Sequence, residues 1–253
     1  MLTPEQIQGN WETFINNIIK YIPGERGEAL TQFYTEHEAR LIMMPASHKK
    51  EYHSAYPGGY VDHVNRVVRC ALHQYEIWVE EGVDGSTFTL EELIFSAINH
   101  DLGKLGDENH DSYIPQTDQW RKEKLGEDYT FNKELPFASV PDRSLFWLQS
   151  NGIQYSFNEM IAIQTHDGLF DEANKKYLMP WGPEQKPRTS LPYILHMADL
   201  MAARIEFEIE WLPKFSGPEA NSPKVQSSKK HKTSQKALSS VGSPGLQGML
   251  DNL

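Results

Sequence analysis

The chain has 253 residues, 39% hydrophobic and 23% charged, enough apolar side chain to bury a core in one sizeable domain or two small ones. A single cysteine, Cys70, excludes an internal disulfide and a thiolate zinc site, and no apolar run is long enough to cross a bilayer. Of the net charge of −11, residues 215–253 contribute +3, five lysines against Glu219 and Asp251, so residues 1–214 hold −14; so acidic a body has no general affinity for nucleic-acid phosphates, and a phosphate-handling site within it needs a cation.

The N-terminus, Met1-Leu2-Thr3-Pro4-Glu5, has neither the basic flank nor the apolar stretch of a signal peptide, and a reducing cytoplasm is the expected location. Residues 1–214 read as the folded part, and apolar spacings of three and four predict six helices within it. The first spans Pro4 to Tyr21, with Trp11, Phe14, Ile15 and Ile18 on one face. A second begins after Gly58-Gly59 and carries Val64, Val67, Val68, Ala71 and Leu72. The third runs from Leu90 to about Lys104 behind a Thr89 cap, with Glu92 at capping-box spacing. Then comes a long polar insert, about Gly106 to Val140, with scattered Tyr113, Trp120, Tyr129 and Phe131; connections of that length are usually functional or disordered. The fourth helix is expected from Pro141 to Asn151 and the fifth from Phe157 to His166. After an irregular stretch from Leu169 to Thr189, the sixth starts near Ser190, with Pro192 in its first turn, and continues to Trp211. Strand patterns are scarce, so the expected class is all-α.

From Phe215 onward, eight serines and the Lys229-Lys230-His231-Lys232 cluster read as a flexible tail. Its end, residues 246–253, places Leu246, Met249, Leu250 and Leu253 at i, i+3, i+4 and i+7. That spacing suits either a frayed terminus or a peptide that docks in a groove of a partner protein.

The chemistry lies in polar residues at the borders of apolar stripes. His100 and Asp101 follow Leu93 and Ile94 by seven residues; His63 precedes Val64; Asp199 stands four after Leu195. A carboxylate so placed is costly unless it is paired or bound to a cation. Each residue alone reads as a satisfied core group. Together, a His, a His-Asp pair and a distant Asp on separate helices form a mixed imidazole and carboxylate set suited to manganese, iron, cobalt, nickel or zinc.

The ordered set His63, His100-Asp101, Asp199 resembles the HD superfamily of metal-dependent phosphohydrolases. His100-Asp101-Leu102-Gly103-Lys104 is similar to its central His-Asp-x-Gly-Lys motif. Gly58-Gly59-Tyr60-Val61-Asp62-His63 and Leu195-His196-Met197-Ala198-Asp199 are similar to the entry and exit motifs of its 3′–5′ exoribonuclease branch. The likeness covers about 52–206, and its details also resemble HD hydrolases carried by tailed phages. It implies an HD-type helical bundle in which His63, His100, Asp101 and Asp199 hold one divalent ion and Lys104 meets substrate phosphate. It also implies hydrolysis of a phosphoester or phosphoanhydride in a small mono- or triphosphate nucleotide by a cation-activated water. His166 matches a second-metal ligand of binuclear members, but Ala138 to Arg143 lack the other, which counts against a second ion and leaves His166 to face phosphate or to hold another cation weakly. Asp107 and Glu108 stand roughly where acids orient the water in nucleotidase members. Tyr113, or Trp120 with Arg121, is a candidate to stack on a base, or else part of a small satellite core; His196 suits a structural role equally well. The competing readings are an exoribonuclease or cyclic-nucleotide phosphodiesterase, a di-iron oxygenase, and a non-catalytic metal-stabilised binding module.

Overall fold

The structure is a computed structural model that describes residues 2–49 and 53–212, and it is mostly helical. The expectations for residues 215–253, including the terminal peptide, lie outside the described residues. Among those described, no helix is long and apolar enough to cross a membrane.

Helix α1, Pro4–Tyr21, opens with a reciprocal cap between Thr3 and Gln6 and buries Trp11, Phe14 and Ile18, each worth about 1.5–3 kcal/mol of apolar transfer at most. Two helices then stand where the sequence reading assigned none: α2, Gly24–Glu36, and the short α3, Glu38–Leu41. The α2 helix has no side-chain cap, and Gly24 and Gly27 lower its intrinsic helix propensity. Tertiary contact overrides them. Leu30, Phe33 and Tyr34 are buried on its inner face, and a Cβ on Gly27 would lie 1.8 Å from the Ile22 carbonyl oxygen.

Helix α4, Gly59–Glu80, begins where Gly58 takes a left-handed φ of 82° and Gly59 passes so close to Ser54 that a Cβ would lie 1.9 Å from its carbonyl oxygen. The Gly-Gly pair thus sets the entry turn and places His63 in the first turns of α4. Helix α5 spans Leu90–Asn99, and the expected continuous helix to Lys104 is broken. A turn at His100-Asp101 leads into a 3-10 helix, Leu102–Leu105. The cause is close packing on α6, Val140–Ser150: the Ser144 hydroxyl accepts from the Gly103 N–H at 2.7 Å and lies 3.1 Å from the His100 carbonyl. A Cβ on Gly103 would lie 2.1 Å from the Val140 carbonyl, so only glycine permits this tightening.

The insert carries a small antiparallel hairpin, β1, Tyr113–Pro115, and β2, Tyr129–Phe131, with Tyr113 opposite Phe131. His48 packs on Phe131, ring centroids 4.1 Å apart. Helix α7, Phe157–Thr165, is followed by short turns, by α8, Lys175–Leu178, and by α9, Leu191–Glu206. A π-helical stretch, Phe207–Trp211, then replaces the regular helix expected there. Helix α9 packs along α4 and α7, and α5 packs against α4 and α7, so four helices surround one buried apolar centre.

The polar caps register two of these helices. Glu92 caps α5 and accepts from Ser156 at 2.6 Å and Asn158 at 3.1 Å, both at the start of α7. Glu159, in the α7 cap, accepts from Arg26 of α2 at 2.9 Å. With their N-termini tied, α5 and α7 bring their C-termini, His100 and His166, together.

Candidate metal centre

His100 and His166 are the C-cap residues of α5 and α7 and use the same device. Each imidazole Nδ1 lies 2.8 Å from a carbonyl three residues earlier, Ala97 for His100 and Ile163 for His166. A carbonyl only accepts, so Nδ1 carries a proton and Nε2 is the nitrogen left to face a cation. His63 is set the same way by a carboxylate. Its Nδ1 lies 3.1 and 3.2 Å from the two oxygens of Glu206, which also accepts from Arg66 Nε at 3.1 Å.

The free Nε2 atoms converge on carboxylates. His63 Nε2 is 3.2 Å from Asp199 Oδ1 and 3.7 Å from Asp101 Oδ2; His100 Nε2 is 3.4 Å from Asp101 Oδ2 and 3.8 Å from Asp199 Oδ1. On the other side of Asp101, Oδ1 lies 3.6 Å from His166 Nε2, which is 3.7 Å from Asp167 Oδ2. The four expected donors, His63, His100, Asp101 and Asp199, are therefore gathered in one place, with His166 beside them. Two groups not singled out from the sequence complete the cluster. Asp167 follows His166, and His53, from the segment before α4, packs its ring 4.5 Å from that of His63 and forms a donor group with His63 and Asp101.

Fit to a cation rests on the orphaned atoms. The Nε2 nitrogens of His53, His63 and His100 are buried and have no hydrogen-bond partner. Buried polar atoms without partners are uncommon and costly. Donors each about 2.1 Å from one ion lie about 3–4 Å apart, the spacing these atoms show. The charge pattern agrees. Burial opposes protonation of His63, but Glu206 and Asp199 outweigh it and push the imidazole up to about 10. For His166 burial is likewise outweighed, by Asp167 and Asp101, and the ring is pushed up to about 9. Burial alone would raise Asp101 and Asp199, yet Lys104 and His100 hold Asp101 well below the usual carboxylate range, and His63 and His100 do the same for Asp199. Burial, then the neighbouring His63, pushes His53 down to about 3, so it stays neutral. The centre calls for positive charge in its middle, as protons or as a cation.

Lys104 is buried and its ammonium bonds Asp101 Oδ2. Burial would discharge it, but Asp101 and Tyr113 keep its pKa raised. Tyr113 is close enough that Asp101 and Lys104 act on its phenol in opposite senses. His196 is half-buried, with Nδ1 2.8 Å from the His166 carbonyl, a structural contact that braces the α7 terminus.

Four expected residues stand outside the cluster. Asp107 accepts from the backbone N–H of Asn109 and His110 at 2.8 and 2.7 Å and holds a turn. Asp107 and Glu108 line a cavity of about 510 Å3 against α6, and no metal donor lines it. Trp120 is 60% exposed. Arg121 pairs with Glu127 at 3.0 Å along a separate cavity of the insert. The resemblance to nucleotidase members implied Asp107 and Glu108 near the His-Asp pair, but the chain turns away at Gly106, whose φ is 93°.

Comparison of the chain with protein-family models, with curated proteins and with solved structures finds no match. What stands is a helical protein with a buried His/Asp cluster able to hold a metal ion, compatible with an HD-like fold.

Proposed function

We propose that this chain is an HD-superfamily phosphohydrolase that cleaves a phosphoester or phosphoanhydride bond in a small nucleotide at a divalent metal centre. The observation that carries the reading is the convergence of the orphaned Nε2 atoms of His63 and His100 on Asp101 and Asp199, from α4, the end of α5, and α9. The mixed nitrogen and oxygen set suits manganese, iron, cobalt, nickel or zinc. A divalent cation in such a centre polarises a phosphoryl oxygen and makes a water more acidic.

The protein's own groups supply the rest. Glu206, Ala97 and Ile163 hold three imidazoles in one tautomer, so no reorganisation is needed when charge arrives. Lys104 keeps a fixed positive charge beside Asp101, within reach of a phosphoryl oxygen placed at the cluster. His166, with its raised affinity for a proton at Nε2, is the best-placed group to protonate a leaving oxygen.

A second reading, two cations instead of one, is favoured by one observation: Asp101 offers Oδ2 to the His63 and His100 side and Oδ1 to the His166 and Asp167 side. Metal content of the purified protein separates one ion from two. Asp101→Ala removes the carboxylate common to both sides, and it should abolish phosphate release across a nucleotide panel while lowering metal content. Full activity in that variant, with metal still bound, would refute the assignment.

A further inference from the structure

We propose that the cavity beside the metal donors takes the base of a nucleoside monophosphate, an uncharged flat aromatic group on a phosphate monoester, with Phe170 and Phe207 as its walls. The proposal rests on the phosphohydrolase reading of the same centre and adds where the substrate lies and how many phosphates it carries.

Access decides the place. Asp101 and His63 are almost fully enclosed, whereas the side chains of Asp199 and Asp167 are 17% and 45% exposed. Both, with His53, line a cavity of about 620 Å3 that opens from the cluster along the outer side of α9. A phosphoryl group held at the donors would therefore leave its substituent in this cavity. The cavities along the insert and along α6 are lined by none of these donors, and neither Trp120 nor Arg121 lines the cavity beside the cluster.

Shape and surface decide the class. The volume lies within the roughly 300–1,000 Å3 that accommodates a small organic ligand, far more than a bare phosphate needs. Much of the lining is apolar: Phe170 is 80% exposed and Leu200 44%, and Ala203 and Phe207 line the same cavity. Arg204 lays its guanidinium over the Phe207 ring, 4.9 Å from the centroid, and the His196 ring stands 6.4 Å from that of Phe170. Planar groups in the lining of a cavity suit a planar ligand, since bases stack on aromatic faces without regard to sequence.

Charge decides the phosphate count. Among the lining residues Arg204 carries the only fixed positive charge, and Glu208 already pairs with it at 2.9 Å. Asp167 and Asp199 are acidic. One phosphoryl group can be neutralised at the donors; a second and third in the cavity would meet carboxylates and no unpaired cation.

The test is calorimetric binding to the full chain with Mn2+ in excess of ligand, using the four nucleoside 5′-monophosphates, ribose 5-phosphate and adenosine triphosphate. The best monophosphate should bind about tenfold more tightly than ribose 5-phosphate, the scale of one base–aromatic stack. Adenosine triphosphate should bind no more tightly than adenosine monophosphate. Phe170→Ala, at a site too exposed to disturb the core, should bring the nucleotide-to-ribose 5-phosphate ratio close to one. Equal binding of ribose 5-phosphate by the natural chain, an unchanged ratio in the variant, or a preference for the triphosphate would each overturn the proposal. Phosphate release from the same samples separates the two claims. Base-dependent binding without hydrolysis keeps the subsite and removes the hydrolase reading; hydrolysis without base preference does the reverse.

Discussion

Replacing Glu206 by glutamine tests whether the donor set is held ready by its surroundings. The Glu206 side chain is fully enclosed, and its two oxygens receive His63 Nδ1 at 3.2 and 3.1 Å and Arg66 Nε at 3.1 Å. Burial alone would raise its pKa, but His63 and Arg66 keep it below the ordinary glutamate value, so it is ionised. Glutamine keeps the shape and offers one acceptor oxygen where two donors converge. If that oxygen goes to Arg66, the amide N–H faces Nδ1 and favours the other tautomer of His63. The proton then sits on Nε2, 3.2 Å from Asp199 Oδ1, which accepts it. Even the neutral ring then offers a cation no lone pair at Nε2. Loss of such a supporting group typically lowers metal affinity about 10–100-fold, or about 1.4–2.8 kcal/mol. Chelator competition with Mn2+ or Co2+ reads the affinity, and a thermal melt of the metal-free protein checks that the fold persists. An affinity within about twofold of the natural chain, with the fold intact, would refute the argument that Glu206 sets the tautomer of His63.

The pH dependence of metal binding follows from the same electrostatics. Without metal, His63 and His166 titrate near 10 and 9, so both are protonated at neutral pH; a cation taking Nε2 must displace those protons, and affinity should rise with pH up to that range. Titration in buffers of different ionisation enthalpy should show about two protons released if both rings bind metal, and zero release would contradict the ligand assignment. Gly168→Ala puts a Cβ 2.1 Å from the His196 ring at a backbone φ of 57°, so it should destabilise by about 2–4 kcal/mol and disturb the His196 contact with His166. Urea unfolding reads that loss, and a change under about 0.5 kcal/mol would show that the ring moves aside freely. Lys104→Met keeps the stem and removes the charge, so KM or kcat should worsen while metal content persists; unchanged rates at every substrate concentration would remove Lys104 from phosphate contact.

Where order arises from neighbours in the chain, the sequence was enough. The first, fifth and seventh helices each carry a capping box, Thr3 with Gln6, Thr89 with Glu92 and Ser156 with Glu159, and their apolar spacing made them legible. The four principal donors were legible too, because a His or Asp at the border of an apolar stripe is costly to bury without a partner. Helix α2 was not, since its weak local signal is offset by Leu30, Phe33 and Tyr34 packing into a core built from distant segments. His53 lies before α4 with no periodic pattern to mark it, and only its unpartnered Nε2 beside His63 brings it into the cluster. Glu206 meets His63 across 143 positions. Sequence alone determined which residues could carry charge into the interior. Only the tertiary structure decided which of them face one another, because that depends on α5 and α7 being tied at their N-termini and on the break at Gly103 that turns Asp101 toward three histidines at once.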